Sequence, residues 1–161
     1  MTAFKGELNL GAELDLCHSA AQFPLGTLAR GSNGNLYRYV KFEDAVAYVL
    51  GHFVNIGAGE TTWNVTNDIS AAMAGYVGVG LVFQAVVPTQ NQYGWVQVAG
   101  IGTFLAGSAA IIAGDWLKND GTTDGALDEA TAGTDEDIVA QALATVADAA
   151  TGLCLLRIRG V

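Results

Sequence analysis

Apolar and polar side chains alternate in short runs along most of this chain, and the breaks between runs are rich in glycine and asparagine. A period of two is that of a strand, whose successive side chains point to opposite faces. The fullest run is Tyr93 to Gly107. Val96 and Val98 point one way there and Trp95 and Gln97 the other; past Gly100 the alternation resumes, with Ile101, Thr103 and Leu105 opposite Phe104. Neither face is polar, so both are expected to meet protein. Pro88-Thr-Gln-Asn-Gln92, just before, reads as a turn. The stretch is predicted to be the inner hairpin of a β-domain.

Upstream, Leu25–Arg30 and Leu36–Phe42 are predicted strands joined by a turn at Gly31-Ser-Asn-Gly-Asn35. In the second, Leu36, Arg38, Val40 and Phe42 share one side and Tyr37, Tyr39 and Lys41 the other. Arg38 and Lys41 can pack their stems and keep their charged tips in water. Glu43 to Leu50 fits a helical turn, Gly51 to Ile56 a strand, and Gly57 to Asn67 a surface loop anchored by Trp63. From Ala74 to Val87, Gly75, Gly78 and Gly80 lie among Val77, Val79, Leu81, Val82 and Phe83. Glycine at that density disfavours a helix and predicts a buried strand with a bulge.

Residues 108–161 line up in order with residues 45–100. Gly51-His-Phe-Val-Asn matches Gly114-Asp-Trp-Leu-Lys, Gly80 to Ala85 matches Ala142 to Ala147, and Trp95 to Gly100 matches Leu155 to Gly160. Identity is low, so the expectation is a structural duplication. It decides the reading of Asp137 to Ala149, where Ile138, Ala142 and Val146 fall at helical spacing in an alanine-rich run. The alignment sets this run against the glycine-rich strand and predicts an extended segment paired with Leu153–Arg159. That final run is itself a predicted strand, with Cys154, Leu156 and Ile158 inward and Arg157 and Arg159 outward.

Residues 1–22 show no clean period. Glu7-Leu-Asn-Leu-Gly and Glu13-Leu-Asp-Leu-Cys alternate briefly, which makes Leu8, Leu10, Leu14 and Leu16 the candidate partner contacts. Two readings stand side by side: an N-terminal arm that adds to a neighbour's sheet or lies across a partner, and a first strand of the domain's own sheet. Residues 23–161 are expected to form a single β-rich domain. The fold class is all-β, a small antiparallel β-barrel or β-sandwich with an internal duplication and an N-terminal arm.

Composition narrows the function classes. Hydrophobic residues make up 51% of the chain and charged residues 14%, against a usual charged share of about 25%. So little charge leaves apolar surface to be closed over compactly or covered by a partner. Twenty-one glycines and two prolines suit tight turns and bulges. A net charge of −9, from seven basic and sixteen acidic residues, argues against nucleic-acid binding, which needs clustered Lys and Arg. Eight of the acids fall between Asp115 and Asp137 and read as a solvated loop. No run reaches about 18 uninterrupted apolar residues, so no membrane span is expected. The start, Met1 to Glu7, lacks a signal-peptide pattern. Cys17 and Cys154 are therefore expected as two reduced thiols.

Catalytic and metal chemistry find little footing. His18 and His52 are the only imidazoles, and adjacent Cys17 and His18 would point to opposite faces of an extended chain. Asp120-Gly-Thr-Thr-Asp124 and Asp135-Glu-Asp137 offer oxygen ligands that would suit calcium, but not in EF-hand order. Gly31-Ser-Asn-Gly-Asn35 lacks the lysine of a phosphate loop, and Asn64-Val-Thr66 is a glycosylation sequon without a visible secretory route. Trp63, Trp95 and Trp116 could line a sugar-binding face; the plainer reading is core packing. No enzyme, cofactor or metal is expected.

One set of residues carries a family resemblance. Tyr93-Gly-Trp-Val-Gln97, then Gly100, then Ile112-Ala-Gly-Asp115 before a short strand resembles the capsid decoration (cement) proteins of tailed bacteriophages, across roughly Gly26 to Gly160 in order of elements. The resemblance implies a structural protein made in the host cytoplasm. It would bind the major capsid protein on the outside of the assembled head, as a symmetric homo-oligomer (trimer or dimer), and clamp the lattice. It implies no cofactor, no nucleic-acid partner and no membrane. The alternatives are another virion component, a head fibre or collar protein, and then a carbohydrate-binding β-module.

Overall fold

The structure is a computed structural model that describes residues 13–45, 47–57, 62–68, 77–84, 88–131 and 138–157. The regular elements within them are ten strands: β1 Leu28–Arg30, β2 Leu36–Phe42, β3 Phe53–Ile56, β4 Asn64–Val65, β5 Val77–Leu81, β6 Tyr93–Leu105, β7 Trp116–Asn119, β8 Leu127–Glu129, β9 Ala140–Ala142 and β10 Thr151–Arg157. The all-β expectation holds. The strands form one sheet whose main path runs β1-β2-β6-β10-β9-β7-β8, with β5 and then β3 branching from β6 and β4 lying parallel beside β2. The path stays open, and no ladder among the described residues joins β1 to β8.

The predicted strand Leu36–Phe42 appears with those bounds as β2. It and the first half of β6 are buried on both faces. Tyr37, Tyr39 and Trp95 form a cluster on one side; Val40, Phe42, Val96 and Val98 join Val54, Val65 and Val79 on the other. The Tyr39 and Trp95 ring centroids lie 5.1 Å apart, and Phe23 meets Tyr39 edge-on at 5.3 Å. Arg38 keeps its place on the valine side by laying its guanidinium over Trp63, 3.9 Å from the ring centroid.

The expected hairpin at 93–107 is instead one continuous strand. Gly100 adopts φ +97°, and Asn35 donates from Nδ2 to the Ile101 carbonyl at 2.9 Å. A single left-handed residue bends a ladder, whereas reversing a chain takes about four residues. The pairing with β2 slips between Leu36 and Tyr37, beside that bend. The first half of β6 therefore pairs with β2, and the second half, Ala99 to Leu105, pairs with β10. One strand belongs to both halves of the molecule.

The turn-and-strand unit recurs in its hydrogen bonds. Gly51 N–H donates to Val82 and Val82 N–H to His52; Gly114 N–H donates to Ala142 and Ala142 N–H to Asp115. The equivalent of Ala142 is thus Val82, two residues beyond the Gly80 that sequence alignment set against it. The described part of that run, residues 138–149, holds no helix: Ala140–Ala142 is extended and pairs with Cys154–Leu156, as the alignment and not the propensity predicted. Tertiary pairing overrides alanine's helix preference here. Residues 132–137 lie outside the described residues.

Three local expectations are corrected. Glu43 to Leu50 holds no helical turn among its described residues; Asp44 instead collects Thr66 and the backbone N–H groups of Asn67 and Asp68. That capture pulls the expected surface loop inward, so Val65 and Asn67 are fully buried and Asn64–Val65 forms β4. The acidic run is no simple solvated loop: its described part is the β7–β8 hairpin, with Asp120 buried behind Gly107.

Candidate functional site

The residues singled out as partner contacts come apart in the structure. Leu8 and Leu10 lie outside the described residues. Leu14 packs against the Tyr37–Tyr39–Trp95 cluster, while Leu16 stays exposed. The described part of the segment, from residue 13 on, lies against the domain. His18 and Tyr93 exchange backbone hydrogen bonds at 2.8 Å each way, and Gln22 N–H donates to the Tyr39 hydroxyl at 3.0 Å. Leu14 also borders an open groove of about 370 Å³, with Asp15, Asn33, Tyr37 and Phe83. The Tyr37 and Phe83 rings meet there at 4.7 Å, and the Asn33 amide donates to the Tyr37 hydroxyl at 2.8 Å. The polar groups of this wall thus serve each other.

Two equivalent turns present apolar tips, and sequence reading missed both. In each, the N–H of the fourth residue closes the turn onto the first carbonyl, His52 to Val49 and Asp115 to Ile112. In each, the side chain of that fourth residue accepts the first residue's N–H: His52 Nδ1 from Val49 and Asp115 Oδ2 from Ile112. Gly51 and Gly114 supply the left-handed backbone at φ +88° and +101°. Tyr48 and Ile111, just before, are fully buried anchors, so Val49 and Leu50 in one turn and Ile112 in the other point outward. The Gly-His/Gly-Asp match in the sequence was the available signal.

His52 also holds the two halves together. Its Nδ1 lies 2.9 Å from the Asn67 amide nitrogen, and Gly125, in the β7–β8 hairpin, sits against its ring and accepts the Phe53 N–H at 2.7 Å. Nearby, Asn55 and Asn119 exchange amide hydrogen bonds across the same seam. A backbone N–H can only donate, so Nδ1 carries a lone pair and the proton sits on Nε2. Burial holds His52 below its usual pKa, and the charge of Asp124 pulls weakly the other way. The unfolded chain takes up a proton near pH 6.5, while the folded state resists it. Stability is therefore full above about pH 6.5 and declines as the pH falls below it. His52→Asn, which keeps an acceptor for Val49, is expected to flatten the change in urea midpoint between pH 7.5 and 5.5; equal slopes for both proteins would refute this role.

The remaining candidates resolve singly. Trp95 is core, Trp63 lies under Arg38, and Trp116 is exposed in another part of the sheet, so the three tryptophans form no shared sugar platform. Asp120 Oδ1 accepts both the N–H and the hydroxyl of Thr122, a local turn. Among the described residues no three His, Cys, Asp or Glu side chains converge as a metal site. Cys17 and Cys154 are both thiols, pushed up by burial to about 11 and about 12. The thiolate is the reactive form, so a disulfide reagent at pH 8 should label the native protein slowly and the denatured protein rapidly at two sites. Rapid native labelling of Cys154 would contradict the packing described.

No family model and no curated protein matches the chain. Among solved structures, the fold is similar to that of the N base of head fiber gp8.5 of bacteriophage phi29. The TM-score is 0.52 at 11% identity, covering 75% of this chain and 94% of that one. At such low identity the likeness is one of fold.

Proposed function

We propose that this chain is a structural protein of a tailed-phage virion, seated on the outside of the head, where it decorates and stabilises the capsid lattice. The observation that carries this reading is the fold shared with a head-fiber base over 94% of that base. The motif Tyr93-Gly-Trp-Val-Gln97 with Ile112-Ala-Gly-Asp115, which resembles decoration proteins, points to the same surface independently. In this reading the protein performs no catalysis and needs no cofactor. Its partners are the major capsid protein and other copies of itself. Leu16 and the outward tips at Val49, Leu50 and Ile112 supply apolar contact area.

A second reading, the base of a head fibre, is favoured by the same neighbour, whose name is that of such a base. Both readings require the chain to bind heads. Purified protein mixed with heads lacking it should co-sediment and saturate at a fixed number of copies per head. Recovery in the supernatant at every ratio would reject both readings.

A further inference from the structure

Arg38 carries a charge that the fold leaves unanswered. It is 8% exposed, on the same side of β2 as the buried Val40 and Phe42. Its guanidinium lies over Trp63, 3.9 Å from the ring centroid, and its Nε is enclosed without a hydrogen-bond partner. Among the described residues no hydrogen bond and no ion pair reaches this guanidinium. The carboxylates that follow β2 are taken: Glu43 meets Lys41 at 3.6 Å, and Asp44 holds Thr66 and the N–H groups of Asn67 and Asp68. Burial pulls the arginine's pKa below its usual value, yet a guanidinium stays charged at neutral pH. Buried charges are ordinarily paired, because leaving water costs a lone ion more than stacking on one ring returns.

The surroundings say what would complete it. The valine cluster opens toward solvent at three half-buried side chains, Leu36, Ile56 and Trp63. Leu28, paired with Arg38 across β1 and β2, is exposed. An arginine with a buried stem, set at an opening of Leu, Ile and Trp, has the make-up of an interface hot spot, where an apolar ring excludes water from a polar anchor. One planar fork matches one carboxylate, gripped by two parallel hydrogen bonds. A phosphate carries nearly twice that charge and would want further cations, and the chain's net −9 repels polyanions. The apolar ring asks for apolar neighbours beside the acid. The occupant that fits is an Asp or Glu side chain flanked by apolar residues on another protein.

We propose that Arg38, seated on Trp63, is the recognition point for a carboxylate side chain of the protein on which this chain docks at the head. The inference rests on the head-binding reading, and the test separates the two. Wild type and variants are each co-sedimented, over a range of concentrations, with heads lacking the protein. Arg38→Met keeps most of the stem and removes the charge. It is expected to bind about tenfold more weakly or worse, with a urea midpoint at or above that of wild type, because an unpaired buried charge has gone. A purely structural arginine would give the opposite pair, a lower midpoint with full binding. Arg38→Lys, which keeps the charge without the fork, should bind between the two. Lys118→Met, which removes a cation from β7, controls for net charge and should bind as wild type does. Arg38→Gln gives a second reading should Arg38→Met melt early by circular dichroism. Wild type left in the supernatant would reject the head-binding reading and this inference with it. Wild type that binds, with Met and Gln variants binding as tightly, would overturn this inference alone, and so would equal weakening by Lys118→Met. Glu60, outside the described residues, is tested as an own-chain partner: losses of stability in Arg38→Met and Glu60→Gln that fail to add in the double variant would overturn the proposal. A wild type that self-associates through Arg38 while Arg38→Met binds heads fully would overturn it too, by giving the carboxylate to a second copy.

Discussion

Replacing Trp95 with alanine will cost about 3–5 kcal/mol of folding stability, the range for truncating a large buried aromatic. Trp95 is 1% exposed and packs against Tyr39 and Phe23, which in turn fasten the described N-terminal segment to β6. Its carbonyl also accepts a hydrogen bond from the buried Gln84 amide. A cavity there would loosen strand, segment and amide together. Urea denaturation followed by tyrosine fluorescence reads the loss. Trp95→Phe, which keeps a ring but leaves part of the volume empty, should lose less and remain foldable. A Trp95→Ala protein within about 1 kcal/mol of wild type, the cost typical of an ordinary substitution, would mean that this cluster is not the core described.

The second large effect separates two positions that share one conformation. Gly51 and Gly114 hold the left-handed backbone in equivalent turns, so alanine at either costs about 1–2 kcal/mol from conformation. The surroundings differ. A Cβ on Gly114 meets open space, whereas one on Gly51 would lie 2.9 Å from the backbone of Phe104 and Leu105 in β6. Backbone in a paired strand cannot step aside as a side-chain tip can. Gly51→Ala should therefore lose a further ~1–3 kcal/mol by overpacking, while Gly114→Ala shows the conformational cost alone. Denaturant midpoints compare the two directly. Equal losses would show that Gly51 is not pressed against β6.

Where local alternation and a tight turn coincided, the fold was legible. β2 is the clearest case: seven residues alternate cleanly and a turn with Gly34 at φ +84° precedes them. β10 was equally readable, including Cys154 and Leu156 inward; residues 158 and 159 lie outside the described set. The same parity also put Leu153 on the outward, Arg157 side, where it is 49% exposed. β6 was misread because a glycine within an alternating run can mark either a turn or a bend. What separates the two here is Asn35, 66 residues from the Ile101 carbonyl it binds.

β4 was missed for a related reason. Asp44 draws in a segment 22 to 24 residues away, and nothing near Asp44 in sequence announces it. The alanine-rich run around Ala140–Ala142 shows the converse: local propensity pointed to a helix, and a long-range alignment of two turns gave the strand. Of the candidate contacts, leucine periodicity correctly marked residues worth asking about, but it could not tell Leu14, packed on the core, from Leu16, left exposed. That distinction comes from the tertiary position of Tyr37 and Phe83.

An image reconstruction of heads with and without this protein tests the central claim most directly. The account predicts added density on the outside of the capsid, at symmetry-related positions, into which the ten-stranded sheet fits with Leu16 or the Val49 and Ile112 turns toward the shell. Density lying flat across neighbouring capsid subunits would favour decoration; density continuing outward would favour a fibre base. Heads that show no difference, with the protein found inside the shell or absent from the particle, would contradict the account.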